Sequence, residues 1–201
     1  MFKRSLVVVL FLLTLPIGAL ADTDFVNLGG ALTGGSSGLS LSGSSLIAVS
    51  GLNGGGLTVG ANLGSVTLST GALTSGSLLT GGLFGSGGSF TITGSGSNGV
   101  PYAVLFSGTF TSPVSWTMLV LPGGLHQYLL SGILSGATGN GFTVLTINTG
   151  KCYFDGKSII SAGLTNIVAV PEGSALAMLS MVLVVLFAAI WQKRSGGSQA
   201  A

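Results

Sequence analysis

Few side chains in this 201-residue sequence have the chemistry for catalysis. General acid–base catalysis needs a titratable group placed within reach of a substrate, usually with a second group that orients or recharges it. The candidates outside the two chain ends are His126, Cys152 and Asp155. His126, at the start of a predicted strand, has no evident orienting partner, and we interpret it as a turn or surface residue. The sequence therefore predicts no catalytic residue and a protein that is not an enzyme.

Ligand sites for metals and phosphates are not evident either. Cys152 is the only cysteine, which excludes an intramolecular disulfide. It is a reactive thiol, a site of intermolecular pairing or a small half-buried apolar residue, and we favour the last. Asp155 lacks the acidic neighbours of a Ca²⁺ site. The glycine-rich runs lack the following Lys-Ser/Thr of a phosphate loop. We predict no metal and no cofactor.

Charge is confined to the two ends of the chain. Charged residues make up 5% of the sequence, and all of them precede Phe25 or follow Gly150. The polar surface of the intervening stretch must consist of Ser, Thr, Asn and backbone amides. The formal charge of +2 is not gathered into a basic patch, so the sequence predicts no nucleic-acid partner.

The region between residues 28 and 88 consists mainly of Gly, Ser, Thr and Leu, with leucines five residues apart from Leu63 to Leu83. Such a period is compatible with a β-solenoid, in which each Leu points into the coil. The alternative, which we favour, is a series of short antiparallel strands with glycine turns. Both interpretations predict strands, because glycine is too frequent for helix.

Apolar alternation is clear after Phe90 and predicts strands with one buried face, separated by turns such as Asn98-Gly99 and Gly139-Asn140-Gly141. We expect an all-β body, an antiparallel β-sandwich or barrel. Trp116 is expected to be buried. Edge strands without charged residues are open to pairing, so self-association is an expected property.

The N-terminus has the three-part layout of a secretory signal. Lys3 and Arg4 precede an apolar run, which ends in the small-residue pattern Ala19-Leu20-Ala21. We predict a signal peptide over residues 1–21, with cleavage after Ala21, and an exported body over residues 22–169.

The C-terminus contains a 17-residue run, 175–191, that is apolar apart from Ser180. It is long enough for a short transmembrane helix, and Lys193 and Arg194 follow it. Basic residues favour the cytoplasmic side, so the body is expected outside the membrane. Residues 196–201 are expected to form a disordered tail.

The segment Val170-Pro171-Glu172-Gly173-Ser174, the apolar run and the basic cluster together resemble a PEP-CTERM sorting tail, over residues 170–195. Tails of this family begin with Pro-Glu-Pro, and Gly173 stands in place of the second proline. The resemblance implies export, recognition of Pro171 and Glu172 by an exosortase, and a body at the cell surface or in the extracellular matrix.

The body, with runs such as 88–94 and 112–117, is also similar to uncharacterised PEP-CTERM proteins of acidobacterial-like environmental bacteria. We therefore expect a non-catalytic structural protein of the cell envelope, cell surface or extracellular matrix, whose C-terminus is first held in the inner membrane. The alternative is a carbohydrate-binding or adhesive module, in which Trp116, Tyr102 or Tyr128 stacks on a neutral polysaccharide. Exposure of these aromatic residues would separate the two.

Overall fold

The computed structural model describes residues 22–169, and this part of the chain is all-β. Strands form because isolated apolar residues alternate with Ser, Thr and Gly, so that every second side chain reaches the core. One turn of 3-10 helix, Leu52–Gly54, lies between the third and fourth strands. The strands are β1 Asp22–Leu28, β2 Ala31–Gly35, β3 Gly38–Ser50, β4 Thr58–Ser69, β5 Leu73–Ser77, β6 Gly81–Phe84, β7 Gly87–Gly94, β8 Val104–Phe110, β9 Val114–Leu121, β10 Leu125–Gly136, β11 Gly139–Gly150 and β12 Lys157–Ala169.

Eight of these strands form a closed antiparallel barrel. Around the ring they are ordered β1, β3, β4, β7, β8, β10, β11 and β12, and β12 pairs with β1 to complete it. The predicted antiparallel all-β body is confirmed, and of the two architectures expected for it the chain forms the barrel. Closure pairs both edges of most strands, which limits the open edges available for self-association.

The four remaining strands extend the barrel. β2 follows β1 in the chain and pairs with the first residues of β12 on one side and of β3 on the other. β9 continues the line of β8 along β10 and carries β6 and then β5. β5 ends this sheet, and a register shift between Leu73 and Ser75 interrupts its pairing with β6. Of the unprotected strand edges that we expected, the outer edge of β5 therefore remains.

Antiparallel alternation gives the barrel two different ends. β1 begins and β12 ends at the same one, where Asp22 is paired with Val168. We call this the terminal end; the loops 51–57, 95–103 and 137–138 lie there too. The opposite end, which we call the far end, carries β2, β5, β6 and β9 and the loop 151–156.

Residues 28–88 form antiparallel strands, and the solenoid alternative is wrong. A five-residue spacing places successive side chains on opposite faces of a regular strand, because the strand period is two. Leu63 and Leu68 are nevertheless both buried, since the β3–β4 register shifts beside Asn62, whose φ of 58° lies in the left-handed region. Leu83, on β6, is exposed.

Two pairs of polar side chains are buried among the apolar residues of the barrel interior. Asn27 donates a 2.7 Å hydrogen bond to Ser44, and the Thr143 and Thr165 hydroxyls are 2.8 Å apart. All four are fully buried. Asn27 lies opposite Gly163 in the β1–β12 pairing, where only a residue without a Cβ leaves space for the amide.

The predicted signal helix and the predicted C-terminal transmembrane helix lie outside the described residues. Within residues 22–169, no helix has the length and apolar content needed to cross a membrane.

Candidate functional site

The far end of the barrel gathers most of the body's titratable side chains. His126 begins β10, and its Nδ1 donates a 3.1 Å hydrogen bond to the Cys152 carbonyl oxygen. Its ring stacks on Tyr153, with centroids 4.4 Å apart and planes inclined by 26°. The expectation that His126 has no orienting partner is therefore wrong. The carbonyl acceptor implies a proton on Nδ1, which leaves Nε2 without one in the neutral ring.

The loop 151–156 is held in place by hydrogen bonds between side chains and the backbone. Thr149 donates a 2.6 Å hydrogen bond to the Cys152 carbonyl, and Asp155 accepts a 3.3 Å bond from the Lys157 amide. Cys152 is exposed, so the preferred interpretation of a half-buried apolar residue is wrong. Across residues 22–169, no three His, Cys, Asp or Glu side chains gather in a metal-binding arrangement.

Two of the three aromatic residues proposed for stacking on a ligand are buried and structural. Trp116 is 1% and Tyr128 0% exposed, and their rings stack at 4.8 Å. Trp116 donates to the Leu78 carbonyl at 2.9 Å, and Tyr128 donates to the Leu79 carbonyl at 2.7 Å. These bonds attach the β5–β6 turn to the barrel. The burial expected for Trp116 is confirmed.

The third proposed stacking residue, Tyr102, is exposed, and so is Tyr153. Tyr102, in the loop 95–103 of the terminal end, is 86% exposed. Tyr153 is half exposed and is backed by His126, which fixes its orientation. Gln127, the residue after His126 on β10, donates a 2.9 Å hydrogen bond to Asn148.

Tyr153 was not singled out by the sequence pattern. The turn between β10 and β11 is formed by residues 137–138, and the predicted turn Gly139-Asn140-Gly141 lies within β11. A register shift between His126 and Gln127 pairs His126 with Gly150. Tyr153 lies three residues further on, in the loop 151–156, and its contact with His126 depends on the path of that loop.

A shallow groove of about 290 Å³ lies on the outer wall of the barrel, near the terminal end. Its lining is mostly apolar and includes Val26, Ala48, Leu57 and Leu164. Asp24 is its single charged residue and accepts a 2.8 Å hydrogen bond from Asn166. The groove offers apolar contact without a cluster of reactive groups.

The residues predicted for sorting and cleavage lie outside the described part of the chain. They are Ala19 and Ala21 at the signal cleavage site, Pro171, Glu172 and Gly173 in the sorting motif, and the membrane-flanking Lys193 and Arg194.

Comparison with known proteins identifies no relative: no family model, no curated protein and no solved structure matches this chain.

Proposed function

We propose that this chain is a non-catalytic, exported structural protein of the cell surface or extracellular matrix, sorted or anchored by a PEP-CTERM-like tail. One observation carries the proposal: Asp22 and Val168 are paired, so the predicted signal and the tail both join the barrel at its terminal end. A body attached at one end leaves its wall and far end free to face the surroundings. This arrangement suits a protein displayed from a membrane.

The wall also supports a structural role. Between Phe25 and Gly150 the chain has no charged residue, so the outward polar groups are hydroxyls and amides. Such a surface makes short hydrogen bonds to neutral polymers and is insensitive to salt, because no ion pairs are screened. A closed barrel in addition hides most strand edges, which suits a protein kept outside the cell at high local concentration.

Tail processing is tested by replacing Gly173 with proline, which restores the Pro-Glu-Pro motif. We expect the variant to increase, by about tenfold in line with the loss of a single recognition contact, the ratio of processed to unprocessed protein. Intact-mass analysis of envelope and medium fractions from the native host measures this ratio. The processed body should begin at Asp22 and end near Pro171 or Glu172.

Gly173→Ala is the matched control, because it changes the same position without adding proline, and its ratio should equal that of the parent. A parent and a proline variant that both remain in the membrane with Lys193 and Arg194 attached would exclude sorting. The tail would then be an anchor only.

A neutral-polysaccharide-binding module is the second candidate, favoured by the exposed Tyr153 ring that stacks on His126. Replacing Tyr153 with alanine should weaken binding to the host's neutral exopolysaccharide by about tenfold, since a stacking aromatic contributes about 1.5 kcal/mol. Affinity electrophoresis of the barrel in that polymer measures the change. Tyr102→Ala, at the other end, is the control; equal retardation of all three proteins would exclude the site.

A further inference from the structure

The terminal end of the barrel carries exposed apolar side chains on one side, along β4 to β11. Six of them, which we call the apolar girdle, expose between 45% and 86% of their surface. The girdle consists of Leu57, Val59, Tyr102, Val104, Ile133 and Phe142. Exposed apolar groups in such number on one part of a surface are typical of interaction sites.

The girdle lies on one side of the terminal end. Its members belong to β4, β8, β10 and β11 and to the loops 51–57 and 95–103. Together with β7, which lies between β4 and β8, these four strands are consecutive around the barrel. A membrane surface on which this side of the end rests contacts all six side chains.

The distribution of charge suits such a surface. The three terminal-end loops, 51–57, 95–103 and 137–138, contain no charged residue. Asp22 and Asp24 on β1 are the charged groups of this end, and Asp24 is engaged by Asn166. The charged residues Lys151, Asp155 and Lys157 all lie at the far end.

Chain length adds an independent constraint. β12 ends at Ala169 at the terminal end, and five residues separate it from the apolar run 175–191. Five extended residues span at most about 17 Å. If that run is anchored in a bilayer, as the proposed function requires, the terminal end stays close to the membrane surface.

We propose that the apolar girdle rests in the interfacial layer of the membrane that holds the tail, with Tyr102 at the level of the lipid headgroups. An exposed tyrosine is suited to this level, because its ring is apolar and its hydroxyl is polar. The inference rests on the membrane anchoring in the proposed function and adds the orientation of the body: terminal end on lipid, far end outward. The Tyr153 face is then directed away from the membrane.

The test uses the full chain in phosphatidylcholine vesicles with a minority of phosphatidylglycerol. Cys152→Ser removes the native thiol, and a bimane fluorophore is attached at Val104→Cys or Phe142→Cys in the girdle. Val120→Cys, on β9, is the matched control, since Val120 is 63% and Val104 59% exposed. Lipids brominated in the acyl chain should lower girdle fluorescence at least about twofold and leave the control unchanged.

Val59→Cys replaces any girdle variant whose thermal unfolding departs from that of the parent. Girdle and control labels that are both unquenched, on protein that floats with the vesicles, would overturn the inference and leave anchoring intact. Protein that does not float would overturn both. Concentration-dependent girdle shielding in detergent without vesicles would identify a second copy as the occupant and would also overturn the inference.

Discussion

Replacing Trp116 with alanine is expected to lower the free energy of unfolding of the barrel by about 3–5 kcal/mol. The indole stacks on Tyr128 and meets the edge of Phe154, with ring centroids 5.2 Å apart. Alanine leaves a cavity at this contact and removes the donor from the Leu78 carbonyl. Urea denaturation of residues 22–169, followed by far-ultraviolet circular dichroism, measures the change.

Two further variants separate packing from hydrogen bonding. Trp116→Phe retains an aromatic ring but not the donor, and we expect it to cost about 1–3 kcal/mol. Val120→Ala lies on the same strand at an exposed position and should change stability by less than about 0.5 kcal/mol. If Trp116→Ala lowered the free energy of unfolding no more than Val120→Ala, the Trp116 contacts would not stabilise the barrel. β9 and the β5–β6 turn would then unfold separately from it.

Replacing Gly163 with alanine is expected to destabilise the barrel by about 2–3 kcal/mol. A Cβ at this position overlaps the Asn27 side-chain oxygen and comes within 2.6 Å of Leu145 Cδ2. Neither neighbour has space to move, because both are fully buried in the interior. The midpoint of urea denaturation should fall with little change in its slope.

A double-mutant cycle identifies the cause of this loss. In an Asn27→Ala background the overlap with the amide is absent, so Gly163→Ala should cost less there by about 1 kcal/mol. Gly56→Ala is the matched control, because a Cβ on Gly56 meets no atom within 4 Å. An identical cost of Gly163→Ala with and without Asn27 would exclude the amide as the source of the overlap.

Alternation predicted which side chains are buried within the barrel strands, but not at the ends of those strands. Phe90 and Ile92 are buried as their spacing on one strand face predicts. The alternation after Phe90 places Tyr102 and Val104 on the same strand face as Phe106, yet both are exposed. Tyr102 precedes β8 and Val104 begins it at the rim, where no neighbouring layer covers the face.

The contacts of His126, Cys152 and Tyr153 at the far end were less predictable, because these residues meet through long-range pairing. His126 and Cys152 are 26 residues apart, and the hydrogen bond between them depends on the β10–β11 register. Cys152 is exposed because the loop 151–156 turns outside the barrel, which composition does not reveal. Trp116 was expected to be buried, but its acceptor, the Leu78 carbonyl, lies 38 residues away.

The all-β class of the body, its charge-free middle and the segments proposed for export and anchoring could be derived from the amino-acid sequence. These depend on local properties: residue type, alternation and the position of glycine turns. Three features emerged from the three-dimensional structure alone. The strands close into a ring, residues 22 and 169 lie at the same end of it, and exposed apolar side chains gather on one side of that end. The physical reason is that closure depends on which strand edges pair across long stretches of chain, and a single Gly or bulge such as that in β4 alters this register without a local signature.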